Sequence, residues 1–376
     1  MTAVAPSPPS SAAAASAAAR HARGRAALDR LWAAGRRLLG CRHAIMGGAM
    51  TWVSERNLVA AISNAGGFGV IACGAMEPDR LAEEIEATRA LTDRPFGVNL
   101  IVMHPRLDAL IEVCLAHGVG HVVLAGGVPG RAAMERVRAG GARLLCFAPS
   151  LGIARRLARA GADALIIEGM EAGGHIGPVA TGVLAQEILP HMGGEVPVFV
   201  AGGIGRGEAI AAYLRMGAAG VQIGTRFVCA EESIAHPAFK AAFVRASARD
   251  AVPSVQVDPE FRVIPVRALA NRATARFAET QLDVIARYRR GELTHEAASL
   301  AIEHFWAGSL RRAVIEGDVE HGSLMAGQSV GLVTRIEPTA AIIGELLDQA
   351  AVSLERELGA PAPAAAAPAP AAGAVV

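Results

Sequence analysis

Eight short apolar runs, separated by segments of helical period, constrain this chain more than any other feature of it. The runs fall at residues 44–50, 68–76, 96–104, 121–127, 143–150, 164–170, 196–205 and 219–228. A continuous apolar run bounded by turn residues reads as a strand buried on both faces, which is the habit of parallel sheets. Between the runs, residues 55–65, 78–92, 105–117, 131–139, 151–160, 183–191 and 207–216 carry helical spacing. Strand alternating with helix implies βαβ units, and eight repeats imply an α/β chain folded as a (β/α)8 barrel. The competing doubly wound sheet rests on Gly67-Phe68-Gly69-Val70-Ile71-Ala72. That match runs into a strand and not a helix, so the phosphate-binding logic of the dinucleotide fingerprint is missing.

Four domain-level segments follow. Residues 41–235 form the barrel, and residues 236–358 form a mostly helical segment that closes and caps it, with helical pattern at 236–248, 266–290, 297–317 and 338–358. Residues 359–376 are Ala and Pro and are read as a disordered tail. Residues 1–40 are read as a disordered or basic-helical extension: the first 24 or so are Ala, Pro and Ser, and 21–40 are Arg-rich with the single acid Asp29. Such a segment has the look of a transit peptide or of a plain upstream extension, and the plain extension is the reading taken.

Composition narrows the function classes. The net charge of +1 gives no reason to expect nucleic acid or an acidic membrane as partner, and no apolar run is long enough to span a bilayer. Lys240 is the only lysine, so a Schiff-base mechanism has one candidate. Cys41, Cys73, Cys114, Cys146 and Cys229 are widely spaced, which signals neither a disulfide framework nor zinc. No His/Asp/Glu cluster has ligand spacing, so no metal is expected, and a cytoplasmic location fits best. No Gly-x-Ser-x-Gly elbow marks a hydrolase.

The chemistry concentrates after the sixth run, in Glu168-Gly169-Met170-Glu171-Ala172-Gly173-Gly174-His175-Ile176-Gly177-Pro178. Gly173, Gly174 and their neighbours let backbone lie flat against a ligand, and His175 is the one side chain there that moves a proton near neutral pH. In a barrel the reactive groups sit at the C-terminal ends of strands, with phosphate held after strands seven and eight. The seventh run ends in Gly202-Gly203 and the eighth in Gly224-Thr225. These two turns offer N–H groups and a hydroxyl to a dianion. Gly47, Gly48 and other rim glycines leave room for a flat ring, to which Asn99 and Gln222 can donate; a loop-capping role suits Asn99 as well. A planar ring with one phosphate suggests FMN. His104, before Pro105, reads as a turn residue, and Trp306 as packing in the cap.

Taken together, residues 45–75, Phe96-Gly97-Val98-Asn99, 168–177, 201–205, 222–232 and Met325-Ala326-Gly327-Gln328 resemble the FMN-dependent nitronate monooxygenase family, formerly the 2-nitropropane dioxygenases. They equally resemble its relative, the flavin-type enoyl-acyl-carrier-protein reductase. The resemblance covers about residues 40–350. It implies FMN in a barrel, His175 as acid/base, and the FMN phosphate on Gly202, Gly203, Gly224 and Thr225. Asn99 and Glu168 would lie near the flavin, with Met325, Gly327 and Gln328 returning over it. The expected substrate is a small molecule: an alkyl nitronate with O2, or, in the alternative, an enoyl thioester with NAD(P)H. An acyl carrier protein would then be a partner, docking on a basic rim of Arg206, Arg226, Lys240, Arg262 and Arg267. A homodimer is left open, and a flavin-storing protein without turnover would have no use for His175.

Overall fold

The computed structural model describes residues 11–74, 76–261 and 264–358. The eight expected strands all form, each shorter than its apolar run, and a further two-residue strand follows the sixth. In chain order they are β1 (Ile45–Gly47), β2 (Gly69–Ala72), β3 (Phe96–Ile101), β4 (His121–Ala125), β5 (Arg143–Phe147), β6 (Ala164–Glu168), β7 (Gly174–His175), β8 (Val198–Ala201) and β9 (Gly220–Ile223). All but β7 pair in parallel in the order β1-β9-β8-β6-β5-β4-β3-β2. Gly47 N donates to Phe68 O at 2.9 Å, and Phe68 N to Ile45 O at 2.9 Å, bringing the two edge strands together. The result is a (β/α)8 TIM barrel. Its strands are Val/Ile/Leu-rich because both faces are covered, by the barrel interior on one side and helices on the other.

The eighth run does not stay extended to its end: Thr225–Val228 turn into a short helix immediately after Gly224. The chain then leaves the barrel. Two short strands, β10 (Ala251–Pro253) and β11 (Val266–Leu269), pair antiparallel, and β11 pairs antiparallel with β7. Residues 266–269 were expected to be helical; the helix begins only at Arg272, where Asn271 caps it by accepting from Thr274 N at 3.1 Å. Helices Arg272–Arg289 and His295–Val314 pack on each other around a core of their own, with the Phe277 and Trp306 ring centroids 4.3 Å apart. Met325 packs against this core and against that of the barrel.

Helix Thr339–Leu358 then returns to the barrel wall against helix Gly207–Arg215, so closely that a side chain at Gly207 would fall 2.0 Å from Leu346 O. Residues 11–24, read above as part of a disordered tail, are instead the first part of helix Ser11–Leu31, which packs on Thr339–Leu358. Alanine is the best helix former, and the partner helix supplies the burial that composition alone does not promise. The second N-terminal helix is Ala33–Leu39, and Leu28, Trp32 and Leu39 are buried. Residues 1–10 and the tail expected at 359–376 lie outside the described residues.

Candidate active site

The loop after β6 is fastened at nearly every residue. Gly169 N donates to Ala201 O at 3.1 Å and Met170 N to Val179 O at 2.8 Å. The Glu171 carboxylate accepts from both Thr181 N and Thr181 Oγ1 at 2.7 Å, closing the loop onto the start of helix Thr181–Met192. Gly174 and His175 run as β7 against Arg267 and Val266, and Ile176 N donates to Pro265 O at 2.8 Å. Arg267, buried beneath, donates from Nε to Met170 O at 2.9 Å and from a terminal nitrogen to Ala251 O. His175 therefore stands on a short strand in a strapped loop, with its side chain exposed at the barrel mouth. Such a loop holds the imidazole in one place before any ligand arrives.

Glycine is needed where this loop meets the returning segment at residues 325–328. A Cβ at Gly173 would lie 2.5 Å from Gly327 N, and one at Gly327 would lie 2.7 Å from Glu171 O. Gly327 N donates to Thr225 Oγ1 at 3.0 Å and Gln328 N to Glu171 O at 2.9 Å. Residues 325–328 thus bridge the loops after β6 and β9, with Met325 Sδ 3.6 Å from where a Gly174 Cβ would stand.

The turns after β8 and β9 fit an anion. Gly202 and Gly203 hold φ of 95° and 73°, which only glycine adopts freely. Among the described residues the N–H groups of Gly203, Gly224 and Thr225 donate to no protein acceptor. A cavity of about 390 Å³ opens beside the turn after β8, lined among others by Gly202, Gly203, Tyr213, Ser247, Gln328 and Ser329. Tyr213, Ser247 and Ser329 carried no sequence motif and were missed. Gly48 approaches Gly224, whose Cα would lie 3.1 Å from a Cβ at position 48, and Gly47 precedes it at the end of β1. Another recess, about 490 Å³, lies at the opposite end of the barrel where β3 and β4 begin, and holds none of these residues.

Two further polar groups come from the strands themselves. Asn99 on β3 is buried, and its amide donates to Val123 O at 3.2 Å, so it spans neighbouring strands while no direct contact ties it to the glycine turns. Glu168, at the end of β6, is partly accessible yet surrounded by protein, and that burial pushes its carboxyl up to about 8 with no donor or counter-charge to oppose it. A carboxyl in that state is a hydrogen-bond donor at neutral pH.

The expected basic rim does not assemble. Arg226 is buried and paired with Glu337 at 2.5 Å and Glu345 at 2.8 Å; Lys240 Nζ donates to Ala230 O at 2.7 Å. Arg267 is committed to the loop, Arg206 pairs with Glu208 at 2.7 Å, and Arg262 lies outside the described residues. Arginine makes these contacts because its fork satisfies carbonyls and carboxylates inside the fold. His104 is a turn residue, its Nδ1 accepting from Arg106 N at 3.1 Å, and Trp306 packs as expected. Among the described residues no cluster could hold a metal, and no helix is long and apolar enough to cross a membrane.

Known proteins resemble this chain in sequence and fold. The family model described as nitronate monooxygenase matches residues 36–110 and 106–349. A 5-hydroxy-7a-methyl-1-oxo-octahydro-1H-indene-4-carboxyl-CoA dehydrogenase of Mycobacterium tuberculosis is 32% identical, over 85% of this chain and 96% of its own. A nitronate monooxygenase of Paraburkholderia phytofirmans is 29% identical, over 85% of this chain and 95% of its own. The solved structure of FabK from Thermotoga maritima superposes with a TM-score of 0.77 at 38% identity, covering 86% of this chain and 97% of that one.

Proposed function

The chain belongs to the nitronate monooxygenase family and is an oxidoreductase; from that premise we propose that it uses FMN, with His175 moving the proton on a carbon beside an electron-withdrawing group. The observation that carries this reading is the strapped loop, which presents His175 on a short strand just beyond Glu171, the side chain that borders the Gly202-Gly203 turn. Those turns fit the cofactor because three of their N–H groups lack a protein acceptor and a cavity opens beside Gly202 and Gly203. Gly202, Gly203, Gly224 and Thr225 would hold its phosphate, and Gly47, Gly48, Gly173 and Gly174 would leave room for its ring. Asn99, Glu168, Met325, Gly327 and Gln328 would border the ring. When bound, FMN supplies the electron-pair acceptor or donor that no side chain of this chain can be.

The substrate takes one of two forms. With an alkyl nitronate and O2, His175 takes the proton from the neutral nitroalkane or holds the anionic nitro group. With an enoyl thioester and NAD(P)H, it delivers the proton to the carbon beside the thioester carbonyl. The second form is favoured by the 32% identical relative, whose name is that of a carboxyl-CoA dehydrogenase. A small thioester suits the commitments of Arg226, Lys240 and Arg267 better than an acidic carrier protein would.

Anaerobic stopped-flow of the yellow protein, mixed in turn with propyl-2-nitronate, NADH and NADPH, separates the two. Bleaching by nitronate and recolouring in air support the first form; bleaching by a nicotinamide and recolouring by crotonyl-CoA support the second. His175→Ala should bind FMN while slowing the productive reaction by about 10²–10⁴-fold, the usual worth of a positioned acid/base. A variant with unchanged rates would sink the assignment of His175, and a protein that takes up no FMN would sink the whole reading.

A further inference from the structure

Among the described residues three lysine or arginine side chains are buried: Arg226, Lys240 and Arg267. Arg226 has carboxylate partners in Glu337 and Glu345, and Lys240 Nζ donates to Ala230 O, away from the loop that carries His175. Arg267, 2% exposed, is satisfied by carbonyls: its Nε donates to Met170 O at 2.9 Å and a terminal nitrogen to Ala251 O. Among the described residues no carboxylate pairs with it. Glu171 acts on its charge from a distance, while the Glu171 carboxylate itself is held by Thr181.

A charge taken out of water without a counter-charge is costly, and a neutral side chain would fill the same space at less cost. What the guanidinium alone supplies is a planar fork, with donors fixed relative to one another. Here the fork spans β11. Arg267 stands opposite Pro253 of β10 on one edge of that strand and opposite Gly174 of β7 on the other. The two carbonyls it reaches belong to those two sides: Ala251 begins β10, and Met170 lies in the loop that leads into β7. On the β7 edge, β11 sets His175 opposite Val266, Gly174 opposite Arg267 and Met325 opposite Ala268. One strand thus aligns three residues of the mouth in a row, and Arg267 braces that strand to the loop.

We propose that Arg267 is a positioning residue for the proton transfer assigned to His175: its fork ties Met170 to β10 across β11 and so sets where the imidazole on β7 stands. This rests on the proposed function for the role of His175 and adds the residue that places it. Without the fork, β7 is left with a two-residue pairing to β11, and Met170 with its N–H bond to Val179 O.

The test compares Arg267→Ala and Arg267→Lys with Leu110→Ala, a core truncation in helix Leu107–Ala116 between β3 and β4. Hydrogen exchange of residues 169–177 in the FMN-free full chain reads the loop without any flavin. It should quicken in both Arg267 variants and not in Leu110→Ala, whatever each loses in melting temperature. In the FMN-loaded chain, turned over with whichever of propyl-2-nitronate, NADH or NADPH bleaches it, Arg267→Ala should lower kcat by about 10²-fold, the cost of misplacing a reacting group by about 1 Å. KM should hold, because the substrate's own contacts are untouched. Millimolar guanidinium chloride should recover most of that loss in Arg267→Ala and none of any loss in Leu110→Ala. Arg267→Lys keeps the charge without the fork, so it should remain slow; it carries both readouts if Arg267→Ala does not fold. Unchanged exchange at residues 169–177 overturns the proposal, as does a full rate in Arg267→Lys or an equal fall of kcat in Leu110→Ala. Quickened exchange in a chain that takes up no FMN would uphold the brace on the loop and sink the function assigned above.

Discussion

Glu168 and His43 are buried against their charged forms, and they pull stability in opposite directions with pH. The unfolded glutamate titrates near 4.3, whereas burial holds Glu168 at about 8. The native chain thus keeps a proton that the unfolded chain has released, so this contribution is present below about pH 4.3 and lost as pH rises through 8. His43 is pushed down to about 4 by burial, and His121 is lowered for the same reason. The unfolded histidines gain protons below about 6.5 that the native ones do not, so their contribution is lost as pH falls from 6.5 towards 4. Between pH 6.5 and 8 the Glu168 slope stands clear of both. Thermal melts of the FMN-free protein should show the midpoint falling across that window, and Glu168→Gln should flatten it, each kcal/mol moving the midpoint by about 2–4 °C. The same slope in the variant would mean that Glu168 ionises as an ordinary carboxylate.

The barrel elements were legible because each strand is a run of apolar residues with helical period on either side, a signal repeated eight times. The small sheet was not: β7 has two residues inside a glycine loop, β10 has three, and β11 was merged with the helix that follows it. Strands this short have no period to detect, and their pairing is set by the tertiary position of the cap. For the same reason the glycine turns and His175 could be picked out one by one, while the clamps on them, Glu171 to Thr181 and Arg267 to Met170, could not. The clearest case is Arg226, read as rim charge and found buried in a pair with Glu337 that ties the Gly224-Thr225 turn to the chain before helix Thr339–Leu358. Removing Glu337 leaves the buried Arg226 only the more exposed Glu345 at 2.8 Å, at a cost of up to about 3–5 kcal/mol, the range for a buried pair broken from one side. Glu337→Leu should lower the melting midpoint by that scale and weaken FMN retention on dialysis, since Thr225 adjoins Arg226. In Glu345→Gln the buried Glu337 still faces Arg226, and Glu345 is itself 35% exposed, so that variant should cost far less; equal losses would mean that the buried pair has no special role.

At the scale of the molecule, the N-terminal and C-terminal helices hold each other and the barrel wall. Helix Ser11–Leu31 lies so close to Thr339–Leu358 that a Cβ at Gly24 would stand 2.1 Å from Ala351 O, and Arg25 reaches Asp348 at 2.6 Å. The C-terminal helix in turn packs on Gly207–Arg215, whose strand-to-helix turn carries Gly202 and Gly203. The chain that opens the sequence is thus two helices away from the turn proposed to hold phosphate. Its contribution is set mostly by Leu28, Trp32 and Leu39, since exposed ion pairs such as Arg25 with Asp348 contribute little. Trp32 is fully buried beside His43, with its ring centroid 5.9 Å from the imidazole, just before β1. Trp32→Ala should therefore cost about 3–5 kcal/mol, the usual loss for a large buried aromatic. Deleting residues 1–40 should cost at least as much, and it should loosen FMN through helix Gly207–Arg215 without touching any residue of the mouth. Both variants are read by thermal melting and by flavin retained after gel filtration. A deletion that melts with the full chain and keeps its flavin would show the N-terminal helices to be passengers on the barrel, whatever their burial.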